Sequence, residues 1–114
     1  MRTLKDILND EHLNILDEKN LKINPNYGTD KGNPKSYIDG FYEENFKKYR
    51  EKDITLVEIG VRSGASLKLW SEYFSKKSKI YGLDNLYDKD TNDVPINEKW
   101  TTLKNVKYIV GDAY

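Results

Sequence analysis

Apolar residues along this chain change period repeatedly, and the changes mark its elements. From Thr3 to about Glu18, Leu4, Ile7, Leu8, Ile15 and Leu16 share one helical face, with Thr3 as N-cap and Asp6 in the first turn. His12 sits on or near that face and reads as a packing or surface residue. Asn24 to Pro34 holds two prolines, two glycines and three asparagines, which predicts a loop, with Tyr27, Asp30 and Lys31 set among its glycines. From Ser36 to about Arg50, Tyr37, Phe41, Tyr42, Phe46 and Tyr49 recur at helical spacing, opposite Glu43, Glu44, Lys47 and Lys48. That aromatic stripe predicts a core-facing helix.

The pattern then tightens. Ile54-Thr55-Leu56-Val57-Glu58-Ile59 suits a buried strand of a parallel sheet. It breaks at Gly60, turns through Val61, Arg62, Ser63 and Gly64, and resumes as a helix with Leu67, Trp70, Tyr73 and Phe74 on one face. Lys79 to Leu83 forms a second strand ending on Asp84, and Val106 to Val110 a third, ending Gly111-Asp112-Ala113-Tyr114. Between these strands lies a polar stretch in which Pro95 starts a short helix through Trp100 and Leu103. The chain therefore reads as α/β: a Rossmann-like parallel sheet of three strands preceded by two N-terminal helices. Residues 1–52 form a helical cap with its loop, and residues 53–114 the sheet unit.

Composition narrows the function. Nineteen basic and nineteen acidic side chains in 114 residues cancel, so no basic excess points to nucleic acid. With no cysteine there is no disulfide framework and no thiolate metal site, and one histidine does not make a common metal site. The N-terminus lacks the apolar core of a signal peptide, and no run is long enough to span a bilayer. The expectation is a soluble, cytoplasmic protein with no membrane or nucleic-acid partner.

The chemistry centres on Gly60 to Asp84. Glycines at 60 and 64 let the backbone turn and let a ligand approach where a Cβ would block it. The helix starting near Ala65 points unpaired N–H groups at that gap. Asp84, 20 residues beyond Gly64, stands where an acid can take both hydroxyls of a ribose. An adenosine derivative is the expected ligand. A dinucleotide fingerprint wants glycine at 62 and 65, where this chain has Arg62 and Ala65, and a P-loop is absent. What remains is an acid, Glu58, a turn Gly60-x-x-x-Gly64 and a downstream acid. The alternative is an ordinary βα turn with two convenient glycines.

Glu58-Ile59-Gly60-x-x-x-Gly64 resembles the first motif of class I S-adenosylmethionine-dependent methyltransferases. Gly28-Thr29-Asp30-Lys31, Tyr42-Glu43 before Phe46, Leu56 to Val61, Gly64-Ala65-Ser66-Leu67, Tyr81-Gly82-Leu83-Asp84 and Gly111-Asp112-Ala113 together resemble bacterial sugar O-methyltransferases of the macrolide-tailoring and polysaccharide-modifying kind. The resemblance covers Gly28 to Tyr114. It implies a transferase with S-adenosylmethionine as cofactor, S-adenosylhomocysteine as product and a sugar or other small molecule as acceptor. By position it implies that Glu58, Gly60 and Gly64 line the methionine end, with Arg62 of the same turn also counted as cofactor-binding. It further implies that Asp84 holds the ribose, that Asp112 and Ala113 meet the adenine, and that Tyr27, Asp30, Lys31 and Tyr37 form a covering loop.

Two departures stand out. Relatives often carry His-x-Tyr where this chain has Lys35-Ser36-Tyr37. The class also carries further strands, with the acceptor pocket, general base and any divalent metal site, beyond the third strand. The expectation is therefore the N-terminal part of a methyltransferase, truncated or completed by another chain through self-association or a partner. No catalytic base is assigned. The competing readings are a non-catalytic, self-assembling adenosine-ligand module and, more weakly, a nicotinamide-dependent oxidoreductase.

Overall fold

A computed structural model describes residues 1–16, 21–22, 28–32, 37–61, 63–84 and 98–111. Helix α1 spans Leu4–Asp10 and opens with a reciprocal cap. Asp6 N–H donates to Thr3 Oγ1 at 3.1 Å, and Thr3 N–H donates back to Asp6 Oδ2 at 2.9 Å. The helix ends well before Glu18. His12 turns left-handed at φ 56°, Leu13 N–H reaches back to the Leu8 carbonyl at 2.9 Å, and His12 N–H reaches Asn9 at 3.3 Å. This is a Schellman-type stop, and it turns Leu13 inward to full burial. The apolar period was continuous enough to hide a stop made by a backbone reversal at a residue other than glycine.

The second helical stretch is a π turn over Ile38–Tyr42, a short α2 over Glu43–Phe46 and a tight 3-10 turn over Lys47–Tyr49. Its aromatic stripe is split. Tyr42 and Phe46 pack against Trp70, with ring centroids at 5.3 and 5.5 Å, whereas Tyr37, Phe41 and Tyr49 stay exposed. Glu43 ties this stretch to both neighbouring helices. Its Oε1 accepts from Leu4 N–H at 2.8 Å and its Oε2 from the Tyr73 hydroxyl at 2.6 Å. Burial, then that carboxylate, pushes the Tyr73 phenol well above its usual range.

Strands β1 (Thr55–Ile59), β2 (Lys79–Asp84) and β3 (Val106–Val110) form a parallel sheet in the order β1-β2-β3. Leu56 pairs with Ile80, Ile59 with Leu83, and Asp84 with Val110. Helix α3 (Ala65–Tyr73) covers one face, and a short α4 (Glu98–Thr101) precedes β3. Pro95 and the beginning of the expected short helix lie outside the described residues. α3 presses so close to β2 that a Cβ on Gly82 would stand 2.9 Å from Leu67 Cδ1. It is buried almost all round between the sheet and α1. Lys68 and Glu72, paired at 2.7 Å, are its only positions not fully buried.

Among the described residues β1 is covered on one face only. Leu56 and Glu58 face α3, but Val57 and Ile59 are 55% and 61% exposed. Ile109 joins them on this face at 42% exposure, and no described residue covers it. The apolar run in β1 therefore describes one buried and one bare face. The fold is a Rossmann-like α/β arrangement.

Candidate functional site

The carboxyl end of β1 carries Glu58, and Gly60 begins the turn to α3. Gly60 has φ 80° and Gly64 φ 97°, the left-handed region that glycine adopts without strain. Gly60 N–H donates to the Leu83 carbonyl at 2.8 Å, and a Cβ on Gly60 would meet nothing within 4 Å. The turn is thus held from the β2 side and open above. A small cleft of about 40 Å³ lies there between Gly28, Thr29, Asp30 and Lys31 on one side and Gly60, Val61, Ala65 and Ser66 on the other.

The loop reaches the cleft because the chain after α1 holds it. Thr29 forms a parallel bridge with Asn14, donating to the Leu13 carbonyl at 2.7 Å and accepting from Ile15 N–H at 3.1 Å. The Ser66 hydroxyl, in the first turn of α3, meets Thr29 Oγ1 at 3.4 Å. Gly28 makes the docking possible, since a Cβ there would lie 2.6 Å from Ile15 N and 2.7 Å from the Asn14 carbonyl carbon. Gly28→Ala must push the loop off this backbone, at a cost of about 1–3 kcal/mol. The expected result is a lower melting temperature and lost amide-exchange protection at Ile15 and Thr29. Unchanged protection at both amides would refute the docking role.

Glu58 is the electrostatic centre. Its side chain is 12% exposed, and Oε2 accepts from Trp70 Nε1–H at 3.2 Å. Lys31 Nζ stands 3.9 Å from the same oxygen, beyond hydrogen-bond range. Oε1 is buried and makes no hydrogen bond of good geometry among the described residues, although the Ser66 hydroxyl is near enough to help hold the carboxylate. Burial raises the Glu58 carboxyl above its usual range, and the Lys31 charge, the Trp70 N–H and the Ser66 hydroxyl pull it partly back. Tyr42 completes the wall. Its phenol is raised by burial and then by the negative field of Glu58.

The expected site residues divide by position. Asp30, Lys31 and Gly60 line the cleft, and Glu58 lies beside Lys31. Gly64 is the N-cap of α3 without lining the cleft. Asp84 stands at the same sheet end, one residue beyond the Leu83 that pairs with Ile59, but it is not part of the lining. Its charge adds to burial in raising the Tyr108 phenol. Tyr37 is 47% exposed and outside the lining. Tyr27, Arg62, Asp112 and Ala113 lie outside the described residues. Thr29, Ser66 and Trp70 join the site unannounced by any motif role. Thr29 and Ser66 stood within the motifs that carry the resemblance, but Trp70 read only as a core residue. No group of three or more histidine or acidic side chains that could hold a metal exists among the described residues. No helix among them is long and apolar enough to cross a membrane.

A glycine turn thus leads from a parallel strand into a helix, with Glu58 and Asp84 at the carboxyl ends of the first two strands. Two known proteins are similar to this chain. The 8-demethyl-8-alpha-L-rhamnosyl tetracenomycin-C 2'-O-methyltransferase of Streptomyces olivaceus is 34% identical over 76 residues, covering 60% of this chain and 19% of that protein. The L-olivosyl-oleandolide 3-O-methyltransferase of Streptomyces antibioticus is 31% identical over 65 residues, covering 51% and 17%. The chain thus spans less than a fifth of the length of the curated relatives it matches. No family model matches the chain, and no solved structure matches it either.

Proposed function

We propose that this chain is the cofactor-binding part of an S-adenosylmethionine-dependent methyltransferase that O-methylates a sugar or other small molecule. The observation that carries the reading is the buried Glu58 carboxylate, 3.9 Å from Lys31 at the edge of a cleft that Gly60 leaves open. A buried carboxylate whose nearest described cation stands beyond hydrogen-bond range is costly, and a cationic ligand end relieves it. The names of the two Streptomyces relatives support methyl transfer and a sugar acceptor.

In this reading Glu58, Gly60 and Gly64 line the methionine end, with Arg62 in the same turn. Asp84 takes the ribose hydroxyls and Asp112 with Ala113 meets the adenine. Tyr27, Asp30, Lys31 and Tyr37 form the covering loop. S-adenosylmethionine, when bound, supplies a methyl group on a cationic sulfur. The residues of this chain hold and orient that ligand and exclude water from it. A base for the acceptor hydroxyl comes from outside the residues assigned here.

The test is calorimetric titration with S-adenosylhomocysteine. Micromolar, saturable binding is expected, about 10–100-fold weaker in Asp84→Ala, which loses charge-assisted bonds to the ribose. A folded chain that ignores this ligand sinks the proposal, and preference for NAD would restore the oxidoreductase reading. The bare face around Val57, Ile59 and Ile109 favours the second reading, a self-associating adenosine-ligand module. A concentration-dependent dimer that binds the ligand but gains no methyl transfer beside a completing chain would select it.

A further inference from the structure

We infer that Tyr37 and Phe41 form a platform on which a sugar ring stacks, with the Asp30 carboxylate placed to accept from the ring's hydroxyls. This rests on the sugar-acceptor reading and adds to it the surface that holds the acceptor.

The two rings are bare where their neighbours are packed. Tyr37 is 47% and Phe41 53% exposed, whereas Tyr42 and Phe46 of the same stretch lie against Trp70. Four residues apart at the π turn, they occupy adjoining positions on one helical face. Each meets Tyr42 at 85°, with ring centroids 6.5 and 5.4 Å away, so neither spends a flat stack on it. The backbone beneath them is fixed. Ile38 is buried and its N–H donates to the Lys31 carbonyl at 3.2 Å, while Asn45 Nδ2 donates to the Phe41 carbonyl at 2.7 Å. A platform held in this way loses little freedom when a ligand settles on it.

A pyranose has the matching chemistry. One side of its ring is a patch of C–H groups that stacks on an aromatic face, and its rim carries hydroxyls that need partners. Those partners are close by. Asp30 lines the neighbouring cleft, and after burial and Glu58 it joins the Tyr37 phenol in raising the Tyr42 phenol. A carboxylate and two phenols therefore gather beside the exposed rings. A wholly apolar partner would strip water from them and return no hydrogen bond, which favours a sugar over a greasy surface. The position fits as well. Asp30 adjoins the Lys31 that holds Ile38, so the platform borders the cleft proposed for the methyl donor, and an acceptor must lie against its donor.

Nuclear magnetic resonance titrations read on the aromatic ring signals test this, with methyl α-L-rhamnopyranoside, cyclohexanol and S-adenosylhomocysteine as probes. The glycoside is expected to bind the wild-type chain saturably at about 1–10 mM, and cyclohexanol about 10-fold more weakly. Phe41→Leu keeps apolar bulk without a ring and weakens the glycoside about 5–10-fold, and Phe41→Trp restores it. S-adenosylhomocysteine binds all three proteins alike, because Phe41 is outside the residues assigned to it, and matching circular dichroism certifies their folds. No saturable glycoside binding up to about 100 mM overturns the inference. So does binding that survives Phe41→Leu, or cyclohexanol that binds as tightly as the glycoside. Tyr37 and Phe41 signals that shift with protein concentration alone mark a contact between chains and overturn it too. In each of these cases the cofactor reading stands on its own titration. If S-adenosylhomocysteine fails while the glycoside binds through Phe41, the platform is upheld and the cofactor reading alone falls.

Discussion

Trp70→Ala lowers the stability of the chain by about 3–5 kcal/mol. The indole is 2% exposed and lies against Tyr42 at 5.3 Å, Phe46 at 5.5 Å and Phe74 at 6.4 Å, the rings that join the second helical stretch to α3. Truncating a buried tryptophan costs about 3–5 kcal/mol through lost transfer energy and the cavity left behind. It also strips Glu58 Oε2 of its 3.2 Å donor in a place water does not easily reach. A domain of this size has roughly 5–15 kcal/mol of stability in all, so this one change removes much of it. Trp70→Phe separates the two causes. It keeps a ring in the cluster and deletes only the N–H, at about 1–3 kcal/mol. Urea melts followed by far-ultraviolet circular dichroism measure both variants. If Trp70→Ala melts within about 1 kcal/mol of the wild type, the aromatic cluster is not the keystone described here.

Glu58→Gln moves stability and binding in opposite directions. Burial holds the Glu58 carboxyl above the ordinary glutamate value of 4.5, more than Lys31 and Trp70 pull it back. The folded chain thus grips the proton more tightly than the unfolded chain does. The stability this contributes is complete below about pH 4.5 and is lost as pH rises through the folded value. At neutral pH the wild type carries a buried carboxylate whose solvation is incomplete. Glutamine keeps the shape and an oxygen for the Trp70 N–H but has no charge to bury. Lys31, on the rim loop, can then turn its ammonium toward water. The variant is expected to melt above the wild type at pH 7 to 8, with the gap closing as pH falls toward 4.5. Its affinity for S-adenosylhomocysteine drops about 10–100-fold, because a neutral amide no longer attracts the ammonium. Thermal melts across pH, paired with calorimetry, read both effects. A variant less stable than the wild type at neutral pH would show that the Lys31 pair outweighs the desolvation of Glu58.

These two side chains also show where reading the chain alone stops. Glu58 was legible as the acid before a glycine turn, and Trp70 as one member of a helical stripe. That the indole donates to the carboxylate depends on how α3 lies over β1, and close helix–strand approach at Gly82 decides that. No period records such a contact.

The strands, the turn at Gly60 and Gly64, the start of α3 and the Thr3 cap were determined by the sequence by itself. Each rests on interactions within a few residues: alternation, helical spacing, a side chain reaching its own backbone, a glycine that tolerates positive φ. What only the tertiary structure decided is long-range. The stop of α1 at Asp10 rests on a left-handed His12 that sends Leu13 into the core. The seating of Thr29 on Asn14 brings Lys31 beside Glu58, and the bare side of β1 depends on what covers the sheet elsewhere. Local patterns state what each segment prefers to be. Which segments meet is settled when burial of shared apolar surface outweighs the entropy of closing the chain between them, and that balance belongs to the whole molecule.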